Sequence, residues 1–176
     1  MVSPATSMTE DFVVGASVQA TIAASPEALW AWIADPTRHP EMAGSGEPQS
    51  IQVVDRQPEG VGRRFESRQR IFGLVRYVTR SEVTKFEPDR RFRFQVDGGP
   101  VWDFELEPVD GGTLVTHRHR FAPPTQGVMG LIKPIQRRRA RQNADGMART
   151  LLNLARLVGA PPPANVRVSY DAPILN

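Results

Sequence analysis

His117 and His119 stand two residues apart, and in an extended segment that spacing projects both imidazoles from the same face. A histidine's proton equilibrium lies near neutrality, so either ring could serve as general base at an acidic carbon. Tyr77, Ser67 or Thr79 could then hold carbonyl oxygens of a bound molecule by hydrogen bonds. The same pair also reads as a polar network inside a core, or as two rings facing water if the strand parity is shifted by one.

A metal site is harder to assemble. His-x-His on a strand can supply two ligands, but the chain has no cysteine and its only other histidine is His39, in a distant loop. Asp103 and Glu105 alternate with Trp102, Phe104 and Leu106, which puts them on an outer face. The expectation is no metal and no cofactor. The same alternation makes Asp103, Glu105 and Glu107 an acidic surface facing Arg91, Arg93, Arg118 and Arg120 on neighbouring strands, not a hydrolytic pair of carboxylates. No G-x-G-x-x-G, P-loop or nucleophile elbow is present.

Strands must position these side chains, and the chain supplies them. Gly62 to Ile71, Leu74 to Phe86, Arg91 to Asp97, Val101 to Glu107 and Thr113 to Phe121 follow a shorter run, Ile51 to Asp55. Short turns divide them: Pro58-Glu59-Gly60, Phe72-Gly73, Glu87-Pro88-Asp89, Asp97-Gly98-Gly99-Pro100 and Asp110-Gly111-Gly112. Connections this short join antiparallel neighbours, because a parallel crossover needs a dozen or more residues. By period-2 parity Phe92, Phe94, Val96, Trp102, Phe104 and Leu106 face inward, while Arg91, Arg93, Gln95, Asp103, Glu105 and Glu107 face water. Phe65 shares its face with Ser67 and Gln69, Tyr77 with Thr79, and Val115 and Phe121 with the two histidines. An inner face this mixed implies a wet or ligand-filled cavity, since buried polar atoms need partners.

Before the meander, Val14, Ala16, Val18, Ala20 and Ile22 alternate with small and polar residues, as a half-buried strand does. Ser25-Pro26-Glu27 opens a helix from Pro26 to Ala34 that buries Leu29, Trp30 and Ile33. Asp35 caps a second short helix running through Thr37 to about Met42, and Ala43 to Ser50 is a loop.

The longest helical pattern spans Val128 to Val158. Beyond Pro134 it continues for about seven turns, with Met147, Leu151, Leu154 and Val158 on one face. Toward its N-terminus that face turns small and polar through Asn143, Ala140 and Gln136. Either a cavity lies beneath it or the helix slides off the core there. Residues 122–134, rich in proline and glycine, form a mobile connector.

The 176 residues, 40% of them hydrophobic, suit one domain with a sizeable core. The expected boundaries are a loose lead-in at 1–11, the domain at 12–159 and a proline-rich tail at 160–176, semi-extended and outside the core. No apolar run spans a bilayer, so stable membrane insertion is excluded. Met1 to Phe12 has neither a basic start nor an apolar stretch, and the expectation is a cytoplasmic protein. The pI of 9.9 comes with a net charge of only +3. Arg137, Arg138, Arg139 and Arg141 spread around more than half a helix, a solvated surface and not a nucleic-acid footprint.

The order of strand, two short helices, six antiparallel strands and a long C-terminal helix resembles the START-like or SRPBCC superfamily, in its polyketide cyclase/dehydrase and lipid-transport branch. The residues that carry the resemblance are Ser25-Pro26-Glu27-Ala28-Leu29-Trp30, Ile33-Ala34-Asp35, Arg38-His39-Pro40-Glu41-Met42 and Gly60-Val61-Gly62. To these add the segment from Val83 to Phe92 and Gly111-Gly112-Thr113-Leu114-Val115-Thr116. The resemblance implies an α+β helix-grip fold, a curved antiparallel sheet around the long C-terminal helix with a deep pocket between them. It also implies a bulky hydrophobic ligand: a lipid, sterol or polyketide.

The residues expected to line that pocket are Phe65, Ser67, Tyr77, Thr79, Phe94, Trp102, Phe104, His117, His119, Gln136, Ala140 and Asn143. The first reading is a binding or transport protein for a hydrophobic small molecule, a monomer or homodimer with no nucleic-acid partner. An aromatase/cyclase or dehydratase using a cavity histidine as base, with His117, His119 and Tyr77 as candidates, is the alternative. A protein-interaction module using the outer sheet face or the arginine-rich helix is a third.

Overall fold

Ala16, Val18, Ala20 and Ile22 are fully buried along β1 (Val14–Ile22), so their alternation fixes which side of the sheet faces the core. The computed structural model describes residues 14–55, 58–71, 73–121 and 133–170. The lead-in at 1–11 and the connector at 122–132 lie outside them. Ser25 opens α1 (Pro26–Ile33) by accepting the Ala28 amide at 3.4 Å, with proline in the first turn. Asp35 accepts the Thr37 amide at 3.0 Å and opens a 3-10 turn, Pro36–Arg38, that runs into α2 (His39–Met42).

Six strands follow as consecutive hairpins: β2 (Pro48–Val53), β3 (Arg64–Ile71), β4 (Val75–Glu87), β5 (Arg91–Val96), β6 (Val101–Val109) and β7 (Gly112–Phe121). The helix α3 (Lys133–Leu157) and β8 (Ala164–Tyr170) complete the chain. The sheet has eight antiparallel strands in the order β2-β3-β4-β5-β6-β7-β1-β8. Long-range pairing with β7 adds β1 to the far end of the meander, opposite β2. α3 lies across β1 and β7 on the concave side, burying Met147, Leu151 and Leu154 against Val18, Ile22 and Val115. This is the helix-grip fold.

Gly44, after α2, sits so close to α3 that a Cβ there would collide with the Gly146 carbonyl and the Arg149 side chain. Its amide donates to Thr150 Oγ1 at 2.9 Å. That contact fixes the distance between α2 and α3, and with it the depth of the space beneath them.

Several expectations need correction. Within the tail expected to be semi-extended, Ala164–Tyr170 forms a strand that pairs with β1, for example Ser17 opposite Ser169, with every one of its residues exposed. An edge strand carries unpaired amides and carbonyls, and β8 satisfies those of β1. The loop from Ala43 to Ser50 is shorter than expected, because β2 already starts at Pro48. Asp103 is on the outer face as parity requires, yet it is only 5% exposed. Arg91 bonds it at 2.7 and 3.1 Å and Arg93 at 3.1 and 3.2 Å, so two guanidinium groups cover it in place of water. No described helix is long and apolar enough to cross a membrane.

Candidate functional site

The parity of β7 places Val115, His117 and His119 on the concave face, where β6 supplies their neighbours: Phe104 lies opposite His117 and Trp102 opposite His119. The His117 ring stacks on Phe104, centroids 3.8 Å apart and planes 16° apart, and His119 lies 4.3 Å from Trp102. Asn143, one turn before Met147 on α3, donates its amide to His119 Nδ1 at 3.1 Å. The tautomer consistent with that bond keeps the His119 proton on Nε2. His117 Nδ1 is buried and has no hydrogen-bond partner among the described residues.

These groups form one wall of a cavity of about 340 Å³ between the sheet and the helices α2 and α3. The opposite wall is Phe65, Ser67, Gln69, Tyr77, Thr79, Ser81 and Phe94, from β3, β4 and β5. Gln69 bonds Ser67 at 2.8 Å and Thr79 at 3.5 Å, so this polar patch is internally satisfied. At the α3 end Arg139 forms a two-pronged pair with Glu47, at 2.5 and 2.8 Å, beside Tyr77.

Burial sets the protonation of all three histidines. It pushes His119 down to about 3, with nearby Arg139 adding to the effect. Burial likewise holds His117 well below its ordinary value, reinforced by the neighbouring histidines. His39 is lowered by the same desolvation, partly offset by its bond to the Ile33 carbonyl and by Asp35. All three are neutral at pH 7 and act as hydrogen-bonding groups, not cations. Burial, with the charge of Glu47, raises Tyr77, so its hydroxyl keeps its proton.

Of the residues expected here, Phe65, Ser67, Tyr77, Thr79, Phe94, Trp102, Phe104, His117, His119 and Asn143 line the cavity. Ala140 is buried but is not part of the lining. Gln136 is outside the residues whose side chains are described.

His39 departs furthest from its sequence reading. It lies on α2, 5% exposed, among Phe65, Phe92, Phe94 and Phe104, and donates Nε2–H to the Ile33 carbonyl at 2.8 Å. A helix of four residues leaves no period to reveal which side it buries. Ser81 also lines the cavity, and the parity of Tyr77 and Thr79 extends to it directly. The Arg139–Glu47 pair joins residues 92 apart and has no sequence signal. No cluster of three or more histidine, aspartate or glutamate residues disposed to hold a metal ion is found among the described residues.

The family model described as polyketide cyclase / dehydrase and lipid transport matches residues 14–152. An uncharacterised protein of Mycobacterium tuberculosis, Rv0088, is 31% identical over 137 residues, 76% of this chain. The chain spans 59% of that relative's length. Among solved structures, the polyketide-cyclase-like protein Cgl2372 of Corynebacterium glutamicum superimposes with a TM-score of 0.61 at 24% identity, over 85% of this chain and 93% of that one. The di-domain ARO/CYC StfQ from the steffimycin biosynthetic pathway gives 0.68 at 12% identity, over 83% of this chain and 51% of that one. The structural likenesses carry the fold; with the family model matching most of the sequence, the chain belongs to the polyketide cyclase / dehydrase and lipid transport family.

Proposed function

We propose that the protein binds a hydrophobic small molecule, lipid-like or polyketide-like, in the cavity between sheet and α3, as a cytoplasmic carrier working as a monomer or homodimer. The observation that carries the reading is a cavity of about 340 Å³ with aromatic walls and one unpartnered buried nitrogen, His117 Nδ1. The volume falls at the small end of the range for ligand pockets, roughly 300–1,000 Å³. A ligand burying about 200 Å² of apolar surface there gains roughly 5 kcal/mol. A carbonyl or hydroxyl on it would give His117 the partner it lacks, which orients the ligand.

Native mass spectrometry of the purified protein tests this. A co-purifying adduct, or uptake of the neutral dye Nile red, is expected for the native chain and should be lost in Ser67→Trp, which fills the cavity. A native chain that carries no adduct and ignores the dye refutes the reading.

The alternative, cyclisation or dehydration with a cavity histidine as base, draws on the family description and on the name of StfQ. General bases work best with a proton affinity near the working pH. A histidine held at about 3 is a poor proton acceptor at neutrality, which favours the carrier. Turnover of a polyketide-like substrate, abolished by His117→Ala or His119→Ala, would reverse that preference.

A further inference from the structure

The hairpin joining β3 to β4 ends in a way that a water-facing turn does not explain. Leu74 follows the turn glycine, Gly73, and is 84% exposed, the most exposed of the large hydrophobic residues described; Val75 is 59% exposed beside it. On the outer face just behind this tip, Arg70 and Arg76 sit directly opposite each other, with Arg68 opposite Val78. Like charges paired across two strands repel, and none of these three arginines has a carboxylate partner among the described residues. The acidic groups nearest along the hairpin are already engaged: Glu66 holds Arg80 at 3.1 Å and Glu82 holds Arg64 at 3.0 Å. The protein therefore keeps an exposed apolar tip with an unneutralised basic collar behind it.

From this juxtaposition we infer that the β3–β4 hairpin docks on an anionic lipid bilayer, Leu74 and Val75 entering the headgroup layer while Arg68, Arg70 and Arg76 meet lipid phosphates. Apolar burial and attraction to anionic lipid both favour such peripheral contact. Aliphatic tips fit a bilayer better than a nucleic acid, where aromatic faces would stack on bases. The concave face of the same hairpin leads inward: Val75 is followed along β4 by Tyr77 and Thr79, both in the cavity lining. A docked hairpin would therefore set the cavity's β3–β4 wall against the membrane. That coupling, but not the docking itself, rests on the cavity being a ligand site.

Co-sedimentation of the full chain with vesicles tests the docking. Binding is expected to vesicles of phosphatidylglycerol mixed with phosphatidylcholine, to weaken as salt is raised, and to be absent with phosphatidylcholine alone. Leu74→Asp should lower the partition at least about tenfold, and the double variant Arg70→Ser/Arg76→Ser roughly thirtyfold. Both should keep the native melting temperature and uptake of Nile red, since these side chains leave the core and the lining intact. The inference is overturned if the native chain ignores anionic vesicles, binds both vesicle types equally, or binds unchanged in either variant. It is overturned equally if the arginine variant loses binding to duplex DNA while Leu74→Asp binds both DNA and vesicles as the native chain does. A chain that takes up the dye but ignores vesicles sinks only this inference, whereas one that binds vesicles and takes up no dye sinks only the cavity reading.

Discussion

Replacing His117 by phenylalanine should stabilise the protein. Nδ1 of His117 is buried without a partner, and an unsatisfied buried polar atom costs about 1–3 kcal/mol. The substituted ring keeps the stack on Phe104 and directs its slight extra volume into the cavity instead of the core. At pH 7.5 we expect a gain of about 1–2 kcal/mol, which for a chain of this size raises Tm by roughly 2–8 °C. Acid should widen the gap. The folded-state value of His117 lies below the ordinary 6.5, so as pH falls below 6.5 the unfolded chain takes up a proton that the folded chain refuses. Stability is therefore flat above about 6.5 and is lost on descending from there. Each histidine that stays neutral in the fold contributes a loss of roughly 1.4 kcal/mol between pH 7.5 and pH 5.5. H117F should lose less than the native protein by that amount, and at pH 5.5 should exceed it by roughly 2.5–3.5 kcal/mol. Urea denaturation at the two pH values reads both quantities. A destabilised H117F at pH 7.5 would mean that the ring belongs to a satisfied polar network, and an equal acid loss in both proteins would mean that His117 titrates normally; either result refutes the argument.

Asp103→Ala should cost about 3 kcal/mol in urea denaturation, because it removes the buried carboxylate on which the half-buried Arg91 and Arg93 guanidinium groups converge; a loss under about 1 kcal/mol would show that solvent replaces it freely. Gly44→Ala should destabilise by about 2–3 kcal/mol, since its Cβ meets the Gly146 carbonyl and the Arg149 side chain at the α2–α3 crossing, and should also weaken Nile red uptake by shifting Gly146 and Thr150 in the cavity lining.

Much of the architecture was legible because the strands are amphipathic and their turns short. Parity alone put Phe92, Phe94, Phe104, His117 and His119 on one face, and the polar Asn143 on the inward face of α3 marked a point where the helix borders the cavity. What parity does not carry is cover. It set Asp103 on the outside facing Arg91 and Arg93, without revealing that these two would bury it almost completely. His39 escaped because a single helical turn repeats nothing, and its burial depends on aromatic rings from β3, β5 and β6 that converge only in three dimensions. β8 escaped for the opposite reason: every residue from Ala164 to Tyr170 is exposed, so its place depends on backbone pairing with β1 and leaves little trace in side-chain chemistry.

The pairing of β1 on both edges also constrains how the polypeptide acquires its shape. Its two neighbours, β7 and β8, are the seventh and eighth strands in chain order, and the Ser17–Ser169 contact spans 152 positions. At a translation rate of about 5–20 residues per second, the opening strand waits roughly eight seconds or longer before its last neighbour has been synthesised. Until β7 emerges, a hydrophobic ribbon made of Ala16, Val18, Ala20 and Ile22 has no sheet to join, and its second edge stays open until β8 follows, so the newborn chain's vulnerability to aggregation is concentrated in β1, and loop closure over such distances slows the final condensation.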